Sequence, residues 1–233
     1  MAKKLASDMN VYYGSYNFGT ATTSVSVALE AKSLDPTALT DTAERVLGGI
    51  RGDAITWGGL FDDAASVDAA GSALLATGTG VFSVLIGTGT GSRAYAGTAY
   101  LLAAKPVSNI GDLVKMEVAM TPDQGFSVGV HYGPAISKPS SAQVTSGTLD
   151  NAALTTAGGV GYIHVFTVSS GTINANLQES STGTAWTSIV SGTMLATGGT
   201  SARLPLTGTI QRYTRFSMDG TGIGTAMGIL SRS

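Results

Sequence analysis

Apolar and polar residues alternate with a period of two over residues 24–29, where Val25, Val27 and Leu29 interleave with Ser24, Ser26 and Ala28. That rhythm predicts a half-buried strand. Residues 54–61 (AITWGGLF) predict a second strand and carry one of the two tryptophans. Residues 81–86 (VFSVLI) form a continuous apolar run between glycine-rich turns, as expected of a strand covered on both faces. Residues 93–102 follow the turn 87–91 (GTGTG), so the two runs read as a hairpin. Residues 115–120 alternate again, with Met116, Val118 and Met120 inward and Lys115 and Glu117 outward.

Two short helices are expected between these strands. Thr40 or Asp41 can cap one running through Ala43, Val46, Leu47 and Ile50, loosened at its end by Gly48 and Gly49. Asp62 and Asp63 open the other, through Ala64, Val67, Ala70, Leu74 and Leu75, where acids suit the helix dipole. The second half shows strand-like runs alone, at 161–168, 172–179, 185–191, 203–209, 211–218 and 225–230, separated by Gly/Ser/Thr turns. That spacing suggests a β-sandwich. The expected fold class is all-β with one or two short helices. The expected division is a first domain over 1–133, a Pro/Ser-rich linker over 134–140 and a second domain over 141–233.

Charge sharpens this division. Residues 1–133 hold 8 basic and 12 acidic side chains, and residues 134–233 hold 5 basic and 3 acidic. Only 12% of the 233 residues are charged, with 32 glycines and no cysteine, against roughly a quarter charged in average soluble chains. Such a surface fits a subunit covered by other protein on several sides, since interface cores are depleted in charge. A free-standing all-β monomer with Thr-rich faces fits it too. The net charge of −2 argues against a general nucleic-acid binder. The absence of cysteine removes thiolate catalysis, disulfides and cysteine metal sites. No apolar stretch is long enough to span a bilayer as a helix. The basic start MAKK is followed by Asp8, Asn10 and Gly14 rather than by a signal-peptide core, so the chain is expected to remain in the cell that makes it.

Candidate chemistry is sparse. With His131 and His164 as the only histidines, a metal site would need distant carboxylates, and His164 reads as a solvent-facing strand residue. No Gly-x-Ser-x-Gly elbow is present. Asp62 and Asp63 read as helix-start acids rather than a glycosidase pair. The 87–92 segment lacks the Gly-Lys-Ser/Thr ending of a phosphate loop. No cofactor, metal or enzymatic activity is expected. Tyr162, Trp186 and Tyr213 could form a glycan-stacking platform; a Trp186 buried in the sandwich core explains the same residue.

The order of elements over residues 20–130 resembles the major tail tube protein of long-tailed bacteriophages. The likeness is carried by residues 54–63 (AITWGGLFDD), 92–97 (SRAYAG) and 107–121 (VSNIGDLVKMEVAMT). Residues 157–165 (AGGVGYIHV), 178–186 (QESSTGTAW) and 206–215 (LTGTIQRYTR) are similar to the β-sandwich that some tail proteins append. The resemblance implies a structural virion protein, made in the bacterial cytoplasm, whose copies form stacked and typically hexameric rings. Each subunit would give strands to an inner barrel through which viral DNA passes without sequence-specific binding. Tail terminator, tape-measure and distal tail proteins are the implied partners, with no membrane. An inter-ring contact loop is expected over 31–53, whose Leu34, Leu39, Val46, Leu47 and Ile50 exceed what a solvated loop needs; these residues could equally cover one end of their own sandwich. The excess of acids in the first half is compatible with an acidic lumen lining. A carbohydrate-binding adhesin module, or a capsid decoration or neck protein of the same particle, are the alternatives.

Overall fold

The computed structural model describes residues 8–19, 21–34, 47–60, 79–108, 112–189, 194–196 and 199–233. Their regular structure is β apart from Asp8, which is 3₁₀. In the first half the strands are β1 (Met9–Tyr13), β2 (Tyr16–Asn17), β3 (Thr22–Ala28), β4 (Ala31–Leu34), β5 (Leu47–Arg51), β6 (Ala54–Leu60), β7 (Thr79–Ile86), β8 (Ser92–Val107), β9 (Lys115–Pro122) and β10 (Ser127–His131). The second half supplies β11 (Ile136–Lys138), β12 (Val144–Thr145), β13 (Leu149–Asp150), β14 (Gly159–Ser170), β15 (Ile173–Ser180), β16 (Thr187–Ser188), β17 (Met194–Ala196), β18 (Thr200–Leu206), β19 (Tyr213–Asp219) and β20 (Ile223–Arg232).

Leu47 and Ile50 lie in a strand rather than in the helix expected after Asp41, and β5 pairs antiparallel with β4, Leu34 opposite Leu47. Gly48 and Gly49 weaken a helix here, and the segment is held instead by its ladder with β4. Most of that helix, and all of the one expected over 62–76, lie outside the described residues.

A 12-stranded sheet runs β18-β14-β20-β10-β8-β7-β1-β2, with β3, β6, β9 and β11 branching from it. A six-stranded sheet, β12-β19-β15-β16 with β13 and β17, stacks on β14 and β20. The two halves of the chain therefore share one sheet, joined where β10 pairs β20, Val130 opposite Leu230. Ile136–Lys138, inside the segment expected to be a linker, is a strand paired with β20.

β7 shows why the halves hold together. Phe82 and Val84 enter one core cluster with Val11, Tyr13, Ile55, Trp57 and Val118. Val81 and Leu85, on the opposite face, enter another with Tyr12, Tyr162, Met227 and Ile229. An apolar run with both faces covered is what the uninterrupted hydrophobic pattern requires. A further cluster built on Ile163, Val165, Leu177 and Phe216 fills the space between the two sheets.

Candidate functional site

β8 is long enough to serve two neighbourhoods. Its first part pairs β10 on one side and β7 on the other, from Leu85 opposite Ala94 to Thr79 opposite Tyr100. Beyond Tyr100, β9 alone accompanies it, on the β10 side, as far as Val107 opposite Lys115. The resulting four-stranded piece, β3-β6-β9-β8, is antiparallel at each junction. Among the described residues it has two open edges, the outer side of β3 and the β7 side of β8 from Leu101 onward.

The two faces of this piece differ sharply. Ile55, Trp57, Met116, Val118 and Met120 are buried in the core, with Val25, Val27 and Ala104 packed against them. The Trp57 indole N–H donates to Thr22 Oγ1 at 2.8 Å. The other face reads across the strands as Ser24–Gly58–Glu117–Lys105 and Ser26–Thr56–Ala119–Ala103. Its charges there are Lys105 and Glu117, 3.6 Å apart and well exposed, with Lys115 at the strand end. This face is small, polar and close to neutral. Tyr100, Leu102, Val107, Leu113 and Val114, all on the β8–β9 hairpin, are exposed.

Leu34, Leu47 and Ile50 of the expected contact loop fall on the β4–β5 hairpin, while Leu39 and Val46 lie outside the described residues. The aromatic platform does not assemble. Tyr162 is buried, its hydroxyl donating to Ser127 Oγ at 3.0 Å, because β14 is covered on both faces. Trp186 and Tyr213 remain half-buried at the six-stranded sheet, each under an arginine: Arg215 lies 4.2 Å from the Trp186 ring centroid and Arg212 4.9 Å from that of Tyr213. Trp186 belongs to none of the core clusters.

Both histidines are fully buried, against the expectation of a solvent-facing His164. His164 Nδ1 is 2.7 Å from the Gly14 carbonyl oxygen and Nε2 is 2.8 Å from Ser83 Oγ. The carbonyl can only accept, so Nδ1 carries the proton and Ser83 donates to Nε2. Burial pushes the imidazole down to about 4. The arrangement has the hydrogen bonds of a serine–histidine pair, yet both residues are at 0% exposure; it ties β14 to β7 and the β1–β2 turn. His131 Nδ1 accepts the Gly133 N–H at 3.1 Å, and burial lowers its pKa as well. Among the described residues no group of three or more His, Asp or Glu side chains is placed to hold a metal ion.

No protein-family model matches the sequence, and no curated protein matches it. Among solved structures, the chain is similar to a protein in the virion of a native gene transfer agent particle, with 18% identity over 54% of this chain and 98% of the other, at a TM-score of 0.44. It is similar to the SPP1 tail tube protein, with 12% identity over 54% of this chain and 78% of that one, at a TM-score of 0.45. It is also similar to the SPP1 Dit protein, a hub component, with 8% identity over 97% of this chain and 99% of that one, at a TM-score of 0.32.

Proposed function

We propose that the chain is a structural subunit of a bacteriophage tail that joins copies of itself edge to edge into a ring, with the β3-β6-β9-β8 sheet as the inner wall. The observation that carries the reading is the pair of open edges on a sheet of four antiparallel strands. Across three antiparallel junctions, β3 runs opposite to β8. A neighbour related by simple rotation therefore sets its β3 antiparallel to this β8, and the alternation continues unbroken around the ring. Head-to-tail contacts that close in this way give rings, and a closed sheet leaves no edge to aggregate. Six copies would close roughly 24 strands with a wall at a radius of about 24 Å, from a strand spacing near 4.8 Å and a tilt near 40°. Stacking of rings into a tube belongs to the same reading, with the β4–β5 hairpin bearing Leu34, Leu47 and Ile50 as the axial contact. A lining of Ser, Thr, Gly and Ala with one ion pair offers DNA phosphates no cationic row to bind, so the duplex can slide.

The absence of cysteine makes the test clean. Ser26→Cys combined with Ala103→Cys or Lys105→Cys is expected to give covalent ladders on mild oxidation, ending at the ring number. Each single variant is expected to give none, because the two edges are different surfaces. Assembly seen by light scattering without ladders in any pairing would overturn the edge-to-edge contact. A monomer persisting at millimolar concentration would overturn self-assembly itself.

A further inference from the structure

The β3-β6-β9-β8 sheet is built differently at its two ends. At one end Lys115 stands between Leu60 on β6 and Val107 on β8, and the chain returns into β9 through Leu113 and Val114. Of the nine large apolar residues exposed among the described residues, five lie on this hairpin, and Leu113 is the most open of them at 70%. Exposed apolar groups gathered on one projection mark a contact surface. The charges beside them are Asp112 and Lys115, both exposed, and neither is in an ion pair among the described residues.

The opposite end is hollow. A cavity of about 360 Å³ opens there between Gly52 and Asp53 on one side and the 121–125 turn on the other. Its walls are tied together within the chain. The Asp53 carboxylate accepts the Glu30 N–H at 3.2 Å and the Phe126 N–H at 2.9 Å. The Gly52 and Asp123 N–H groups donate to the Glu30 and Thr98 carbonyls at 2.7 and 2.8 Å. Pro122 and the two glycines of the lining give apolar surface with no long side chain to fill the space, and Asp123 and Gln124 are exposed beside it. The β4–β5 hairpin leaves the sheet from this same end, where Ala28 stands opposite Ala54.

β9 has eight residues, so its ends lie about 24 Å apart and the β8–β9 hairpin cannot reach the cavity of its own chain. We propose that it seats in the cavity of a second copy placed end to end with the first. Leu113 and Val114 fill the space, and Lys115 pairs with the exposed Asp123 of the receiving copy. The second copy is the partner that fits because projection and hollow stand at opposite ends of one sheet, with a cation on one and carboxylates on the other. A contact between two different surfaces so placed repeats along a line instead of closing. The β4–β5 hairpin lies beside the cavity, so the two form one receiving surface. The inference deepens the ring reading and rests on it for the coaxial placement that brings the two ends together.

Leu113→Cys combined with Gln124→Cys is expected to give end-to-end covalent chains on mild oxidation, whereas neither single variant should pass beyond a dimer. Leu113→Ser should raise the concentration at which tubes appear by light scattering at least tenfold. Lys115→Glu and Asp123→Lys should each raise it several-fold, and the two together should restore assembly, a rescue that a purely local role of either residue does not give. The same changes made in the Ser26→Cys, Ala103→Cys background should leave the ring ladder as it was. A persisting ladder without end-to-end chains, or tubes indifferent to Leu113→Ser, overturns the hairpin–cavity contact and leaves the ring standing. End-to-end chains without a ladder support the contact and overturn the ring. Loss of both overturns both readings, and a charge exchange that restores nothing overturns the Lys115–Asp123 pair.

Discussion

Acid should loosen the junction between the two halves through His164. The ring is neutral and fully buried, and its folded pKa of about 4 lies below the ordinary 6.5. A base depressed on folding takes up protons first in the unfolded state. Its contribution is therefore complete above pH 6.5, is lost as pH falls toward 4 and is flat below that. A gap of about 2.5 units at 1.36 kcal/mol per unit amounts to about 3 kcal/mol, a large share of the 5–15 kcal/mol that holds an ordinary domain. The physical events are loss of the Ser83 hydrogen bond, since a protonated Nε2 cannot accept, and the placing of a charge against Tyr12 and Phe166. The assay is urea unfolding at intervals from pH 7.5 to 4, comparing the chain with His164→Gln, which cannot titrate. His131 is depressed in the same direction, so the informative quantity is the difference between the two curves. That difference should shrink by about 3 kcal/mol across the window. A difference that stays constant, or an imidazole resonance of His164 titrating near 6.5, would refute the reasoning.

Lys138 is buried, and its ammonium donates to the carbonyls of Ser140, Gly220 and Gly222 at 2.6, 2.9 and 2.7 Å. Lys138→Met strands three acceptors and should lower stability by about 3 kcal/mol or more, read as a fall in the urea midpoint. Gly224→Ala should prevent folding or shift β20, because a Cβ there would collide with the Thr167 carbonyl oxygen beside a register shift; circular dichroism and amide exchange at β14 report it. Asp53 accepts the N–H groups of Glu30 at 3.2 Å and Phe126 at 2.9 Å, so Asp53→Ala should cost about 2–4 kcal/mol and unlock the turn before β10 first.

The pattern of the sequence located the strands that have one clear face or none. Residues 115–120 alternate, and the structure buries Met116, Val118 and Met120 while exposing Lys115 and Glu117. Residues 81–86 are continuously apolar and β7 is covered on both sides. β1 escaped because Asp8 and Asn10 interrupt its apolar run, although Val11, Tyr12 and Tyr13 are all buried. The far part of β8 escaped because Ala103, Ala104 and Pro106 carry little strand signal; a proline is tolerated there because that stretch is an edge. The burial of His164 had a signal in hindsight: it is a lone polar residue in YIHVF, as Ser83 is in VFSVLI, and each satisfies the other. No local pattern could reveal that partnership, since 81 residues separate the two. The same holds for the Arg215 stack, which needs the 178–188 hairpin folded against β19 before Trp186 and the guanidinium meet.

The shared sheet has a consequence for any attempt to express the halves apart. A fragment of residues 1–133 would keep β7 and its inner cluster but would lose β14 and β20. That bares the face bearing Val81 and Leu85, exposes Tyr12, and leaves the β20 side of β10 unpaired. Three large side chains returned to water cost roughly 5 kcal/mol, from about 1.5–3 kcal/mol each, before the loss of the His164 bonds to Ser83 and Gly14 is added. The bare strand also supplies an edge onto which other chains can build. The fragment is expected to bind a hydrophobic dye and to elute as large aggregates, whereas the full chain unfolds in one cooperative step. A monomeric 1–133 fragment with its own sharp thermal transition would show that the first cluster suffices alone, and that β7 needs only one covered face.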